Sequence, residues 1–281
     1  MKRRAILGGA FALPLLARGQ ARPLPRLVTV SGAITEVVYA LGAEGQLVGT
    51  DTTSLYPAPA LKTPKVGYMR QLSAEGVLSL KPDAVIATTE AGPPVVMDQI
   101  RSAGVKVELV NADHSWEEVR AKVQAVGRAS AREAAAKALQ DQLDAQWIEV
   151  GRHVAKAQRK PRVLFILSHS ASPQVAGEKT AADALIRFAG GVNVLSGFAG
   201  YRPMTAEAMA SAAPDIILSS NQSIEAHGGA QRFWERPELA LTPAFKRKSL
   251  VTMDALQLLG FGPRLPAAIG ELHDKFRAAL A

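Results

Sequence analysis

The hydrophobic and polar positions divide the chain into short apolar runs separated by segments with helical spacing. The apolar runs are rich in β-branched residues and predict buried strands at 27–30, 47–50, 84–89, 105–110, 162–167, 214–220 and 250–253. Apolar residues three and four positions apart predict helices at 33–41, 94–102, 180–189 and 266–280. Alternating short strands and helices are typical of parallel sheets covered by helices, so the predicted fold class is α/β.

The stretch 115–160 has a different pattern. It contains no proline and is rich in Ala, Gln, Glu, Lys and Arg. Ser115 followed by Glu118 fits a capping box and predicts a helix over 115–128. A second helix is predicted over about 130–158, ended by Pro161. It would be roughly 40 Å long and would connect two lobes as a stiff strut.

Two segments of the chain repeat each other. GYMRQLSAEGVLSLKPDAVIATT starts at residue 67 and GYRPMTAEAMASAAPDIILSS at residue 200. An offset of 132 residues aligns Ser73 with Thr205, Glu75 with Glu207, and Asp83 with Asp215. Such a repeat at half the chain's length predicts two similar lobes. The predicted units are an N-terminal lobe (22–128), a linking helix (129–160) and a C-terminal lobe (161–281).

Residues 1–21 read as a signal peptide. A basic Lys2-Arg3-Arg4 start precedes an apolar stretch over 5–17, which is too short to span a bilayer. The paired arginines also fit a twin-arginine export signal, so the Sec and twin-arginine routes both stay open. We therefore expect a soluble periplasmic protein with its signal peptide removed.

Composition and motifs narrow the function classes. The chain has no cysteine, which excludes disulfides, thiolate metal sites and a lipid-anchored Cys. Half of the formal net charge of +8 comes from the first 21 residues, and no basic stripe with interleaved aromatics indicates nucleic-acid binding. GxSxG, HExxH, GxGxxG and phosphate-loop motifs are lacking, which argues against an enzyme. A secreted haem- or metal-dependent enzyme remains the alternative from another class.

Four segments resemble the periplasmic haem-binding proteins, class III substrate-binding proteins of ABC importers: GYMRQLSAEGVLSLKPD, AGEKTAADALIRFAGG, GYRPMTAEA and LLGFGPR. The resemblance covers essentially the whole mature chain. It implies two Rossmann-like lobes with central parallel-type sheets, joined by a long backbone α-helix. It also implies a monomer that holds ferric haem in an inter-lobe cleft and delivers it to an inner-membrane ABC permease. A ferric-siderophore or cobalamin binder of the same class is the nearer alternative.

Tyr68 and Arg70 match the ligating tyrosine and neighbouring arginine of that family. A phenolate is a hard anionic donor suited to Fe(III), and a guanidinium beside it favours the ionised form. Without the resemblance, Tyr68 reads as a cleft-wall or core tyrosine with a satisfied hydroxyl. His169 follows the strand 162–167 at its carboxyl end, where α/β sheets bind ligands, and is a possible second iron ligand or a loop histidine bonded to backbone.

The remaining candidates are basic, acidic and aromatic residues near the same predicted loops. Tyr201, the repeat partner of Tyr68, is predicted to be a cleft-wall residue. Haem propionates need charge-assisted donors, and the candidates are Arg70, Lys179, Arg202 and Arg264. Each of these could instead simply be solvated.

Glu75 and Glu207 occur in first helical turns, where the helix dipole alone explains an acid. The resemblance implies that they dock on the permease. Of the other histidines, His227 is a weak ligand candidate, while His114, His153 and His273 are predicted to be solvated.

Overall fold

Within the described residues, 23–167 and 173–281 of a computed structural model, ten strands and twelve α-helices form two lobes. The predicted signal peptide and His169 lie outside the described residues. The strands are β1 (Leu27–Val30), β2 (Leu47–Thr50), β3 (Ala84–Thr88), β4 (Lys106–Val110), β5 (Arg162–Leu167), β6 (Gln174–Ala176), β7 (Val192–Asn193), β8 (Tyr201–Pro203), β9 (Ile216–Ser220) and β10 (Leu250–Met253). The helices are α1 (Gly32–Ala40), α2 (Ala74–Leu78), α3 (Pro94–Ser102), α4 (Trp116–Ala129), α5 (Glu133–Val154), α6 (Ala181–Phe188), α7 (Ala206–Ala212), α8 (Asn221–Ala226), α9 (Ala230–Phe233), α10 (Pro243–Arg247), α11 (Ala255–Leu259) and α12 (Leu265–Leu280).

The first lobe is built on a parallel sheet in the order β2-β1-β3-β4. Its central strand β1 is completely buried, because both faces of the sheet are covered. Leu27 faces a core that includes α1 and α4, whereas Val28 and Val30 face a second core that includes α2 and α3. The continuous apolar runs of the sequence therefore correspond to strands buried on two sides.

The second lobe contains a mixed sheet in the order β10-β9-β5-β6-β8, with β7 also paired to β5. β10, β9, β5 and β7 are parallel, while β6 and β8 run antiparallel. The predicted parallel-type sheet thus describes the first lobe fully and the second lobe in part. β6 lies in a segment predicted as a loop, because a strand of three residues is too short to show a period.

The sequence repeat recurs in atomic detail. In the first lobe the backbone N–H of Arg26 donates to Asp83 at 2.8 Å, and its guanidinium donates to the carbonyls of Leu80 and Lys81. In the second lobe the N–H of Arg162 donates to Asp215 at 3.1 Å, and its guanidinium donates to the carbonyls of 212 and 213. In both lobes, therefore, an arginine at the start of a central strand donates to carbonyls at or just after the end of a helix.

Two helices connect the lobes. α4 begins as predicted at Ser115, whose hydroxyl accepts from the N–H of Glu118 at 3.1 Å. The capping box is incomplete, because the Glu118 carboxylate accepts from the N–H of His114 instead of Ser115. α5 is shorter than predicted, with 22 residues, since Ala131 takes a left-handed conformation before it and the chain leaves the helix after Val154. It packs against α4 of the first lobe and α12 of the second.

Other predicted boundaries hold to within two residues, with additions in the loops. The region 221–247 holds three short helices, α8, α9 and α10. The proline-rich loop 51–65 includes a 3-10 helix, Ala58–Lys62. None of the helices in the described ranges is both long and apolar enough to cross a membrane.

Candidate ligand-binding cleft

Tyr68 lies in a loop that is tied to the end of strand β3. Gly67 has a φ of 108°, a left-handed conformation that favours glycine. The N–H of Leu72 donates to the carbonyl of Gly92, and the N–H of Gly92 donates to the carbonyl of Met69, both at 2.9 Å. Met69 and Leu72 are buried, whereas Tyr68 remains 40% exposed. The loop therefore anchors its apolar side chains and presents the phenol to solvent.

Arg70 links the phenol to an acidic residue. Its Nη1 donates to the Tyr68 hydroxyl oxygen at 2.9 Å, and its Nη2 donates to Glu90 Oε1 at 2.9 Å. Burial lowers the pKa of Arg70, but the bonds to Tyr68 and Glu90 outweigh it and raise that pKa. A guanidinium that donates to an oxygen stabilises negative charge on it. We call this arrangement the Tyr68–Arg70–Glu90 chain.

Tyr201 of the second lobe lies near the Tyr68–Arg70–Glu90 chain. Burial and the negative charge of Glu90 raise the pKa of Tyr201 to about 12, although Arg70 and a hydrogen bond with Thr180 act in the opposite direction. Glu90 and Arg70 belong to the first lobe, so Tyr201 lies close to charges of the opposite lobe. The raised pKa disfavours the anionic form of Tyr201, and its role as a wall residue stays a prediction.

The predicted propionate donors differ in the interaction partners that their side chains already have. Arg264 donates to both oxygens of the buried Glu36 at 2.8 and 2.7 Å and stacks 3.9 Å from the ring centroid of Tyr56. Arg202 is exposed and lies 4.4 Å from the ring centroid of Phe198. Lys179 is exposed, with a φ of 57°. A propionate role stays a prediction for all of them, and Arg264 alone among these three already has a buried carboxylate partner.

Lys179 also borders a cavity of about 1300 Å³ between the lobes. His114 lines it from the first lobe, and Arg187 and Phe188 line it from α6. Tyr68 does not line this cavity.

Sequence reasoning missed three acidic residues of the cleft and its base. Glu90 completes the Tyr68–Arg70–Glu90 chain, and its position directly after β3 was an available signal, since α/β sheets bind ligands at the carboxyl ends of strands. Glu36 gave no such signal, because its partner Arg264 is distant in sequence. The sequence indicated Glu118 only as a capping residue, because its neighbour Lys122 makes its other contacts with residues distant in sequence. Glu36 holds Arg264, and Glu118 holds Lys122, which donates to the carbonyls of 260 and 261 in the second lobe.

Glu75 and Glu207 occupy equivalent positions in the two lobes. α2 is capped by the Ser73 hydroxyl and α7 by the Thr205 hydroxyl, and each glutamate is exposed in the first turn that follows. The repeat therefore presents one acidic side chain from each lobe to solvent.

The four histidines within the described residues lie outside the Tyr68–Arg70–Glu90 chain. His273 is only 4% exposed, so the prediction that it is solvated is wrong. The packing of α12 against α5 covers it. His114 is partly buried against Phe261, with ring centroids 5.4 Å apart. His227 Nδ1 lies 2.7 Å from the carbonyl oxygen of Ser223, which can only accept, so Nδ1 carries the proton and donates it.

The two-lobed α/β fold with a solvent-open cleft defines a class of solute-binding proteins. The periplasmic binding protein family matches residues 27–256, and the chain belongs to that family. Its relatives are binding proteins, and the assignment rests on most of the chain's length.

Solved structures and sequence relatives agree with this assignment. The periplasmic heme-binding protein BhuT, solved with two hemes, is 44% identical, with a TM-score of 0.87 over 92% of this chain and 99% of its own. The periplasmic heme-binding protein RhuT from Roseiflexus sp. RS-1 is 35% identical, with a TM-score of 0.87 over 92% and 100%. A vitamin B12-binding protein of Vibrio vulnificus is 26% identical over 92% of each chain.

Proposed function

We propose that this protein binds ferric haem in the inter-lobe cleft and delivers it to an inner-membrane ABC transporter. The observation that carries the proposal is the Tyr68–Arg70–Glu90 chain, which holds a half-exposed phenol at the mouth of the first lobe. The similarity to BhuT and RhuT supports haem over other ligands of this class.

Each residue of the Tyr68–Arg70–Glu90 chain would have a distinct role in binding haem. The Tyr68 oxygen would coordinate the iron as a phenolate. Arg70 would stabilise its negative charge through the 2.9 Å bond, and Glu90 would fix the guanidinium in that orientation. Tyr201 would face the porphyrin as a wall, while Lys179 and Arg202 are the freer candidates for the propionates. His169 stays a possible second ligand. No bond in the haem is made or broken, so the protein acts as a carrier and not as an enzyme.

Glu75 and Glu207 are proposed as the two docking points on the permease. Both are exposed, and each belongs to a different lobe, so a transporter with two basic sites could hold both lobes together. We further propose that the chain is exported to the periplasm by residues 1–21 and works there as a monomer.

The decisive experiment is a visible-absorption titration of the mature protein with ferric haem, beside Tyr68→Phe. We expect saturable binding with a phenolate-to-iron charge-transfer band that is lost in the variant. Tyr39→Phe, which changes a tyrosine of α1, serves as the matched control and should leave the spectrum unchanged. A spectrum that survives Tyr68→Phe would transfer the ligand role to His169 or Tyr201.

The second candidate is a cobalamin binder, which the Vibrio vulnificus relative favours. Cobalamin and ferric siderophores need no phenolate from the protein, so Tyr68→Phe should not abolish their binding. Failure to bind haem, combined with saturable binding of cyanocobalamin or a ferric siderophore, would replace the haem proposal.

The docking proposal is tested with a haem permease reconstituted in liposomes. Glu75→Lys and Glu207→Lys should each reduce the stimulation of its ATPase by the haem-loaded protein at least tenfold, with haem affinity unchanged. Glu117→Lys reverses another exposed charge in a first helical turn, that of α4, and should have no effect. Equal stimulation by all three variants would contradict the docking role.

A further inference from the structure

Three ionisable side chains meet where α5 packs on α12, away from Tyr68 and its partners. His153 lies in the last turn of α5, and His273 and Asp274 are neighbours on α12. One ligand atom from each lies within 4.8 Å of the others. The proposed haem site uses none of these residues.

The orientation of His273 is fixed by the backbone beneath it. Its Nδ1 lies 3.0 Å from the carbonyl oxygen of Ala189. A carbonyl can only accept, so Nδ1 carries the proton and Nε2 keeps its lone pair. A ligating histidine almost always donates its other N–H to an oxygen in this way. Because the side chain is only 4% exposed, it cannot easily turn to another arrangement.

His153 and Asp274 supply the other two donors from the solvent side. His153 Nε2 and Asp274 Oδ1 are 3.0 Å apart, and the side chains are 43% and 64% exposed. The ring centroids of His153 and His273 are 5.0 Å apart, so the two imidazoles are neighbours beside the carboxylate.

The cluster opens onto a cavity of about 510 Å³. Its wall includes both histidines together with Lys156, Arg159 and Arg277. A metal held here would therefore keep a coordination position facing water. The basic side chains would favour an anion or hydroxide in that position.

We propose that His153, His273 and Asp274 bind one divalent transition-metal ion of the zinc type. Two imidazoles and one carboxylate suit Zn²⁺ and Co²⁺, with bonds of about 2.0–2.2 Å and ligand atoms roughly 3.4 Å apart in a tetrahedral site. The 3.0 Å between His153 and Asp274 is already close to that separation. Binding would replace the hydrogen bond between His153 Nε2 and Asp274, and the single proton of the neutral His153 ring would then sit on Nδ1. The bound ion would join α5 to α12.

The test is a titration of the haem-free protein with Co²⁺, using protein purified without a histidine tag. We expect one equivalent to bind with visible ligand-field bands, and excess Zn²⁺ to remove those bands. His153→Gln and Asp274→Asn should each weaken binding at least tenfold. Both side chains are partly exposed, so these variants should fold, whereas a change at the buried His273 risks the packing.

Two controls separate this site from its surroundings. Glu271→Gln removes an exposed carboxylate about one turn away on α12 and should bind Co²⁺ like the wild type. Tyr68→Phe should also leave the titration unchanged, so failure of the haem proposal and failure of this one are distinguishable. Absence of saturable Co²⁺ binding, or binding that is unaffected by both His153→Gln and Asp274→Asn, would overturn the proposal and leave an ordinary His–Asp ion pair.

Discussion

At the scale of single residues, the cleft depends on which charges have a partner. Tyr68 and Tyr201 occupy equivalent places in the repeat, yet only Tyr68 receives a hydrogen bond from an arginine. Tyr201 is partly buried next to Glu90, which disfavours its ionised form. The two lobes therefore place equivalent tyrosines in different surroundings, one beside an arginine and one beside a glutamate.

Replacing Arg70 should weaken haem binding without removing the ligand. A charge-assisted hydrogen bond contributes about 1.5–3 kcal/mol, so Arg70→Ala should raise the haem dissociation constant by roughly tenfold to a hundredfold. The charge-transfer band should persist with a shifted maximum. Arg101→Ala removes an exposed arginine that pairs with Asp98 on α3 and should change neither quantity. Unchanged affinity in Arg70→Ala would contradict a role for this bond.

Tyr201 should make the protein less stable in alkali. Its pKa is about 12 when folded and about 10 when unfolded. The unfolded chain thus loses this proton first as the pH rises. The free energy of unfolding therefore decreases over the pH range between the two pKa values. From pH 9 to pH 11 the wild type should lose about 1 kcal/mol more than Tyr201→Phe. Urea unfolding at both pH values measures this, and parallel losses would contradict the raised pKa.

At the scale of elements, the two lobes share the hydrogen bonds that begin a helix and a central strand. Ser73 and Thr205 cap α2 and α7 through bonds of 3.1 and 3.2 Å to Gly76 and Ala208. Asp83 and Asp215 receive the N–H at the start of the central strands. Local hydrogen bonds of this kind depend on a few neighbouring residues, which is why the pattern is visible in the sequence.

Removing one cap should destabilise the second lobe by a modest amount. Thr205→Ala leaves the N–H of Ala208 without its side-chain acceptor, and the expected loss in the free energy of unfolding is about 1 kcal/mol. Thr205→Ser keeps the hydroxyl and should recover most of it. Chemical unfolding followed by circular dichroism measures both, and equal losses in the two variants would show that the methyl group matters instead of the cap.

At the scale of the whole molecule, buried charges join the lobes. Arg264 of the second lobe pairs with Glu36 of α1, and Lys122 of α4 reaches the carbonyls of Gly260 and Phe261. Burial lowers the pKa of Lys122, while the nearby Glu118 acts to raise it. Such pairs are costly to break, since they leave a charge without water or a partner.

Breaking the Glu36–Arg264 pair should destabilise the protein more than breaking a surface pair. Burial raises the pKa of Glu36 although Arg264 opposes it, so Arg264→Met leaves a buried carboxylate and should cost about 3 kcal/mol at pH 7. The deficit should shrink at pH 5, because protonation of Glu36 removes the unpaired charge. Arg101→Met should cost less than about 0.5 kcal/mol.

Urea unfolding at both pH values gives these free energies. Hydrogen exchange over 32–40 and 260–268 tests whether the contact between the lobes loosens in Arg264→Met. A deficit that is the same at pH 5 and pH 7 would contradict the buried charge as its cause.

The sequence by itself determined the α/β class, the two lobes, most of the strands and the cap at Ser115. These features rest on local periodicity, on a cap three residues from its partner, or on a repeat within one chain, all of which can be read along the sequence. The sequence also placed Arg70 two residues from Tyr68, and the structure joins them by a hydrogen bond. The ligand role of Tyr68 came from the family resemblance and stays a prediction. Wherever a boundary was wrong, as in β6 or α5, the local pattern was too short or a single left-handed residue ended it.

Only the tertiary structure decided which distant side chains meet. Glu90 joins Arg70, Glu36 joins Arg264, and His153 joins Asp274 across separations of 20, 228 and 121 residues. Nothing in the spacing of these residues predicts their contacts, because packing of helices and the docking of two lobes bring them together. The buried state of His273 has the same origin, since α5 covers a position on α12 that would otherwise be a solvated helix face.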